Sequence, residues 1–308
     1  MLATSHRRPP APLGLASLLL LAACVNRTPP LRVPPLPDLE RDLRALIAEV
    51  PTGEIAVAVR DLGNGRSLSI DGDRVMHAAS TMKLPVLIEY MRRIDGAEID
   101  DSATVLLLNS FRSSADQSHY TLDPGDDSDS TVYGRVGQRV PLRWLATRMI
   151  THSSNLATNV LIDRLGPAAI TSTSHALGAR RTAVRRGVED NVAFRAGIIN
   201  ETTADDLSAI MSAIATDRAA SVAGCRAMRD ILLAQAFNDG IPALLPPTVR
   251  VAHKTGEITA THHDAAIVYP ATGAPYVLVV MTRAIPDRAV AVGLTARIAR
   301  AVHRALRE

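Results

Sequence analysis

Lysine is nearly missing from this chain. Of its 34 basic side chains, 32 are arginine, and only Lys83 and Lys254 are lysine. Arginine stays charged in any protein environment, whereas a desolvated lysine amine can lose its proton and act as a base. The two lysines therefore mark places where an ammonium or a free amine is needed for itself. Cysteine is as scarce, occurring at Cys24 and Cys225. With Cys24 committed elsewhere, no internal disulfide is possible. Cys225 lies in an Ala- and Met-rich helical stretch and reads as a small buried hydrophobe. Aromatic residues make up 3% of the chain, and the arginines are scattered. That excludes a basic groove lined by stacking rings, so nucleic acid is not expected as a partner. No apolar run reaches the roughly 20 residues of a membrane-spanning helix.

What is present is ordinary for a globular protein. The 308 residues are 47% hydrophobic and 21% charged, with net charge +3, enough for one large domain or two intimate ones. The N-terminus reads as a targeting segment. A basic start with Arg7 and Arg8 is followed by "LGLASLLLLAA" and Cys24. The ending "LAAC" resembles a bacterial lipobox, in which the cysteine is lipidated; the alternative is an ordinary signal peptide with a bystander cysteine. Residues 1–23 are thus expected as signal peptide. Residues 24–37 carry five prolines and read as an extended tether.

From Asp38 the spacing of Leu39, Leu43, Leu46, Ile47 and Val50 predicts a helix. "EIAVAVRDL" and "RSLSID" alternate like strands around "GNG" at 63–65, a hairpin signal. Strand signals then mostly vanish until about Gly240, replaced by helical patterns such as "NLATNVLIDRL" and "TADDLSAIMSAIA". Between them lies the acidic, turn-rich "DPGDDSDSTVYG". Asp126, Asp127 and Asp129 could hold a cation there or simply form a solvated loop. Strands return in "TVRVAHKTG", "DAAIVYP" and "PYVLVVMTR". A last helix carries Leu294, Ile298, Ala301, Val302 and Leu306 on one face. The expected fold is α+β: a largely antiparallel sheet built from both chain ends, with flanking helices and a helical insertion. One domain over 38–308 is implied, its α/β part at 38–79 and 241–308 and its helical part at 80–240.

Three motifs carry chemistry. Ser80 sits where a strand region gives way to a helix, and Lys83 at i+3 shares its face. An amine beside a hydroxyl can take its proton and make a nucleophile. Pro85, just inside that helix, reads as a local kink. Ser153, Ser154 and Asn155 precede an amphipathic helix, and Asn155 could be its N-cap. Lys254, Thr255 and Gly256 end a strand, with the glycine letting a ligand approach the backbone.

Ser-x-x-Lys, then Ser-x-Asn, then Lys-Thr-Gly is the order and rough spacing of the penicillin-recognising serine enzymes. With "MITHSSNLATN", "RGVED", "TTADDL" and "KTGEI…HHDAAIVYP", the chain resembles a less studied branch of the class A β-lactamases over nearly all its mature length. The resemblance implies the α/β sandwich of β-lactamase type. It implies Ser80 as the acylated nucleophile and Lys83 as its base or a relay to one. Ser153 would pass a proton to the leaving lactam nitrogen. Asn155 would hydrogen-bond the substrate side-chain amide, and Lys254 and Thr255 would meet its carboxylate. The backbone N–H groups of Ser80 and Glu257 would form the oxyanion hole.

There are departures. Ser154 replaces the usual aspartate of the middle motif, which is largely structural in the family. The deacylating carboxylate would be Glu189, but the asparagine normally four residues on is Ala193. Glu189 could instead pair with Arg185 or Arg186, with Asp190 and Glu201 as weaker substitutes. No arginine lies on the strand after Lys254. His262 and His263 stand there, and His262 could contact a carboxylate or merely pack beside the strand. Arginine should be tolerated at 254, where a cation is enough, better than at 83.

The expected function is a serine β-lactamase. The alternatives are a D,D-peptidase or esterase that β-lactams acylate without efficient turnover, and a non-catalytic peptidoglycan-binding lipoprotein. No cofactor or metal is expected. The partner would be a β-lactam or peptidoglycan-like small molecule, and the protein a monomer tethered to a membrane in the periplasm through its N-terminal lipid.

Overall fold

The computed structural model of the protein describes residues 1–2 and 36–307. The expected targeting segment, Cys24 and most of the proline-rich stretch lie outside the described residues. Residues 36–307 lie in one compact unit. The end of the expected tether already belongs to it: Leu36 is buried, and Pro37 opens a helix that runs to Ala48. Proline suits a first helical position, where no intrahelical N–H bond is due.

Five antiparallel strands form the sheet in the order Ser67–Ile70, Glu54–Asp61, Tyr276–Arg283, Thr261–Tyr269, Arg250–Ile258. Both chain ends contribute, as the alternation predicts, and the hairpin turns at 63–65. Each strand's alternate residues serve two cores. In the central strand Tyr276, Leu278 and Val280 face the terminal helices Pro37–Ala48 and Arg288–Arg307. Val277, Val279 and Met281 face the helical part. There the helix Ala204–Ala215 packs on three of the strands, and Lys83–Asp95 forms the hub for its neighbours.

The stretch 80–240 is not purely helical. Short two-stranded ribbons interrupt it, notably Met76–His77 with Glu201–Thr202. These pairs are too short to show a period of two. The expected kink at Pro85 is also absent as a break: Pro85 is the third residue of the helix Lys83–Asp95, within the first turn, where its missing N–H has no intrahelical partner to lose. Cys225 is buried and free, as its apolar surroundings suggest.

Candidate active site

Ser80 lies in a short 3-10 turn, Ala79–Met82, that leads into the helix beginning at Lys83. The turn is held from several sides. The Thr81 hydroxyl and amide both donate to Ala78 O. Ala79 N–H donates to His77 Nδ1 at 2.9 Å, and Ala78 N–H to Asn200 O at 2.9 Å. The strand Arg250–Ile258 presses against it: a β-carbon at Gly256 would stand 3.1 Å from Ser80 N and 3.0 Å from Thr81 N. Only glycine lets the two backbones come so close.

Lys83 is wholly buried. Its Nζ donates to Ser153 O (2.6 Å), Ser153 Oγ (3.1 Å) and Asn155 Oδ1 (2.8 Å). From the other side Lys254 Nζ donates to the same Ser153 Oγ at 3.0 Å and to Thr255 O at 2.8 Å. With both lone pairs of its oxygen engaged, the Ser153 hydroxyl has only its O–H left to give. Burial pushes Lys83 down to about 7, with Asp127 and Glu189 opposing the shift. Burial, and then the Lys83 charge, push Lys254 well below its ordinary value, with Asp264 opposing. Two amines sharing one hydroxyl favour a single ammonium between them.

Asn155 links this cluster to the next residue. Its Nδ2 donates to Glu189 Oε1 at 2.8 Å. Burial raises the Glu189 pKa, and the Asn155 hydrogen bond partly offsets that. Glu189 makes no ion pair among the described residues: Arg185 pairs with Glu201, and Arg186 spends its guanidinium on Ile198 O, Gly187 O and the Phe194 ring. Asp190 is committed elsewhere, accepting from Ser113 Oγ, Ser114 N and Ala193 N as the cap of the helix Asn191–Arg195. Ala193 is buried, so no amide stands where a water-holding asparagine was sought. Ala79, Ser153 and Glu189 all hold left-handed φ, at 45°, 57° and 60°. Such backbone costs about 1–3 kcal/mol per non-glycine residue and persists where the surroundings over-determine it.

Ser80 opens onto two cavities. One, of about 330 Å³, is lined by Ser153, Thr255, Glu257, His262 and Arg288. The other, of about 620 Å³, is lined by Asn155, Glu189, Val188, Phe194 and Ile258. The residues of all three motifs thus converge on Ser80. His262 is there too, but burial lowers its pKa, and its Nδ1 has no partner among the described residues. The cation of this cavity is Arg288, at the start of the last helix, where it pairs with Asp239 and Glu257. Sequence reasoning missed it, because only the fold brings position 288 beside position 262. His263 is structural: its ring sits between His77 O and Thr282 N, fully buried.

Two expectations for the neighbouring loops are corrected. The N-cap of the helix Asn155–Leu165 is Ser154, whose side chain accepts from Ala157 N, and Asn155 is thereby released for Lys83 and Glu189. The acidic loop is not simply solvated. Asp127 and Asp129 are buried; Asp129 is clamped by Arg148, and Asp127 accepts from the middle motif. No cluster suited to a metal ion is found among the described residues.

The β-lactamase enzyme family matches residues 38–306. The chain belongs to that family. A β-lactamase of Streptomyces albus G is 26% identical over 255 residues, covering 80% of this chain and 77% of that one. The solved structure of PBP-A matches with a TM-score of 0.77 at 25% identity, over 88% of this chain and 97% of that one. An ancestral (GNCA) class A β-lactamase matches with 0.75 at 26% identity, over 87% and 100%. The fold is the α+β fold of β-lactamases. The departures at 154 and 193 are therefore variations within a β-lactamase framework.

Proposed function

We propose that this chain is a serine β-lactamase, opening the lactam ring through an acyl-enzyme on Ser80. The observation that carries the reading is the Ser153 hydroxyl shared by Lys83 and Lys254, tied through Asn155 to Glu189. In acylation the neutral Lys83 amine takes the Ser80 proton as Oγ bonds to the lactam carbonyl carbon. The C–N bond breaks, and Ser153 gives the nitrogen a proton that the lysines replace. The amides of Ser80 and Glu257 receive the oxyanion, each donor being worth about 3 kcal/mol. In deacylation Glu189 takes a proton from water, the water oxygen adds to the ester carbon, and Ser80 Oγ leaves with a proton. The net change is one water added across the ring amide. Arg288, Lys254 and Thr255 face the substrate carboxylate.

A second reading rests on Ala193. Without an amide at that position the deacylating water is held less well, and the enzyme becomes a penicilloylated acyl-transferase with slow release. The likeness to PBP-A, one mutant of which is an acyl-enzyme complex with penicillin G, favours keeping it. Mixing the full chain with a chromogenic cephalosporin and following colour and intact mass separates the readings. Sustained colour supports the β-lactamase, a lasting adduct the acyl-transferase, and neither a peptidoglycan-binding lipoprotein. We propose further that Cys24 carries lipid and tethers the enzyme in the periplasm. Cys24→Ser should then abolish lipid labelling, and labelling that persists would dismiss the anchor.

A further inference from the structure

We propose that Asp127 supplies, from the preceding loop, the carboxylate that position 154 lacks, and so positions Ser153 and Asn155 for the reaction at Ser80. The inference rests on the β-lactamase reading for its meaning, but its geometry stands apart from it. A helix begins with N–H groups that have no intrahelical partner, and buried ones must find an acceptor. Ser154 covers one, Ala157 N at 3.2 Å. Asp127 Oδ2 covers the next two, Asn155 N and Leu156 N, each at 2.9 Å, and receives the Ser154 hydroxyl at 3.3 Å. Its Oδ1 accepts Asp129 N at 3.0 Å. Asp129 in turn is fixed by Arg148, at 2.5 and 2.6 Å.

The chain of support therefore runs from the helix Leu142–Thr151 through Arg148 and Asp129 to Asp127, and from there into the segment 153–155. That segment holds a left-handed Ser153 whose carbonyl and hydroxyl both bind Lys83. Without the carboxylate, two amides at the helix start, one of them buried, lose their acceptor and the strained turn loses its brace. Asp127 is also a negative charge at a helix N-terminus, a favourable place for one. It is the carboxylate most strongly favouring the Lys83 ammonium, ahead of Glu189. The other titratable groups facing the cluster are Lys254 across Ser153, Asp264 beyond Lys254, Asp126 beside Glu189, Tyr133 against Asp127, and Asp129, which Arg148 neutralises.

The two lysines make the test direct, because labelling lysine Cε with carbon-13 gives only two resonances. Lys83 is titrated in the full chain, in Asp127→Asn, in Asp127→Ser, and in Asp127→Ser with Ser154→Asp. Acylation of Ser80 by a chromogenic cephalosporin is followed in parallel. Asp127→Asn keeps an acceptor but removes the charge, so the Lys83 midpoint should fall. Asp127→Ser should slow acylation about tenfold or more, as a small misplacement of reacting groups does. Moving the carboxylate to 154 should restore both. A Lys83 midpoint unmoved in Asp127→Asn, or a double variant no better than Asp127→Ser, overturns the proposal. If the parent neither changes colour nor forms an adduct, the β-lactamase reading fails, while the titrations still decide the role of Asp127. Should the single variants not fold, a folded double variant with the parental midpoint supports the role, and a double variant that is also unfolded overturns it.

Discussion

Lys83 has two properties that are hard to combine: complete burial and three hydrogen bonds that an ammonium makes best. Burial wins enough to bring its pKa to about 7. The neutral amine is therefore the minor form below that value and the major form above it. Acylation should rise with pH through the region near 7, and the rate should be lost as pH falls through it. Lys83→Arg keeps the charge and abolishes the base, so it should cost acylation about 10²–10⁴-fold, much as Lys83→Ala does. An arginine variant within a few-fold of the parent would remove Lys83 from the role of base. Lys254 is just as buried, which alters the expectation that arginine is tolerated there. A larger head group has no room beside Ser153, so Lys254→Arg should lower stability as well as activity. Arg288 is proposed to contact the substrate carboxylate, and His262 lines the same cavity. Its guanidinium faces the cavity permanently charged, whereas a histidine with a lowered pKa is neutral near pH 7. Arg288→Ala should raise KM for carboxylate-bearing substrates about tenfold or more, by loss of one charged hydrogen bond. His262→Ala should leave KM at pH 7 nearly unchanged. The opposite ranking would return the carboxylate contact to His262.

At the scale of elements, legibility followed periodicity. The strands around Val57 and Val279 alternate between two cores, and the helices repeat an apolar stripe, so both announced themselves in the sequence. The loops did not. Asp127 lies far from Ser153 in sequence, and nothing in "DPGDDSDS" distinguishes the aspartate that caps a helix from the ones in solvent. Arg288 looks like any surface arginine until the last helix is docked. Glu189 was legible through the local likeness of "RGVED", but its partner was not: the residue that holds it is Asn155, on another element. The loop 185–200 is anchored at its far end by Asn200, whose Oδ1 accepts from Arg185 N and Arg186 N and whose carbonyl accepts Ala78 N–H. It therefore carries Glu189 in fixed relation to the Ser80 turn. Glu189→Gln keeps size and the Asn155 contact but removes the base. The variant should acylate at close to the parental rate and then accumulate a penicilloyl adduct, read as added mass on the Ser80 peptide. Hydrolysis that continues at the parental rate in Glu189→Gln would exclude Glu189 as the base and move the role to Lys83 or Asp190.

At the scale of the whole molecule, the same burial that prepares the site makes the fold sensitive to acid. His263 lies on the strand beside Lys254 and joins the sheet to the segment leading into Ser80. Its Nε2 contacts His77 O at 2.9 Å, and its Nδ1 accepts from Thr282 N at 3.2 Å. That pattern requires a neutral ring with its proton on Nε2. Burial holds its pKa down to about 4; backbone hydrogen bonds at His77 and His262 oppose the shift, and the charges of those two rings add to it. An unfolded histidine titrates at about 6.5. Between these values the unfolded chain binds the extra proton and the folded chain does not, so stability rises with pH across the window and is lost as pH falls from 6.5 toward 4. The difference is about 2.5 pH units, or about 3 kcal/mol for this one group at the acid end. Lys83, held down to about 7 by burial, acts in the same direction but above pH 7, so its contribution falls in a separate window. Urea denaturation at pH 7 and pH 5 reads the histidine window, below that of Lys83. The parent should lose stability between them. His263→Gln keeps a donor for His77 O, so although less stable at pH 7 it should lose less on acidification. A variant whose stability falls as steeply as the parent's between pH 7 and 5 would move the acid sensitivity from His263 to the other histidines that burial holds neutral, His77 and His262.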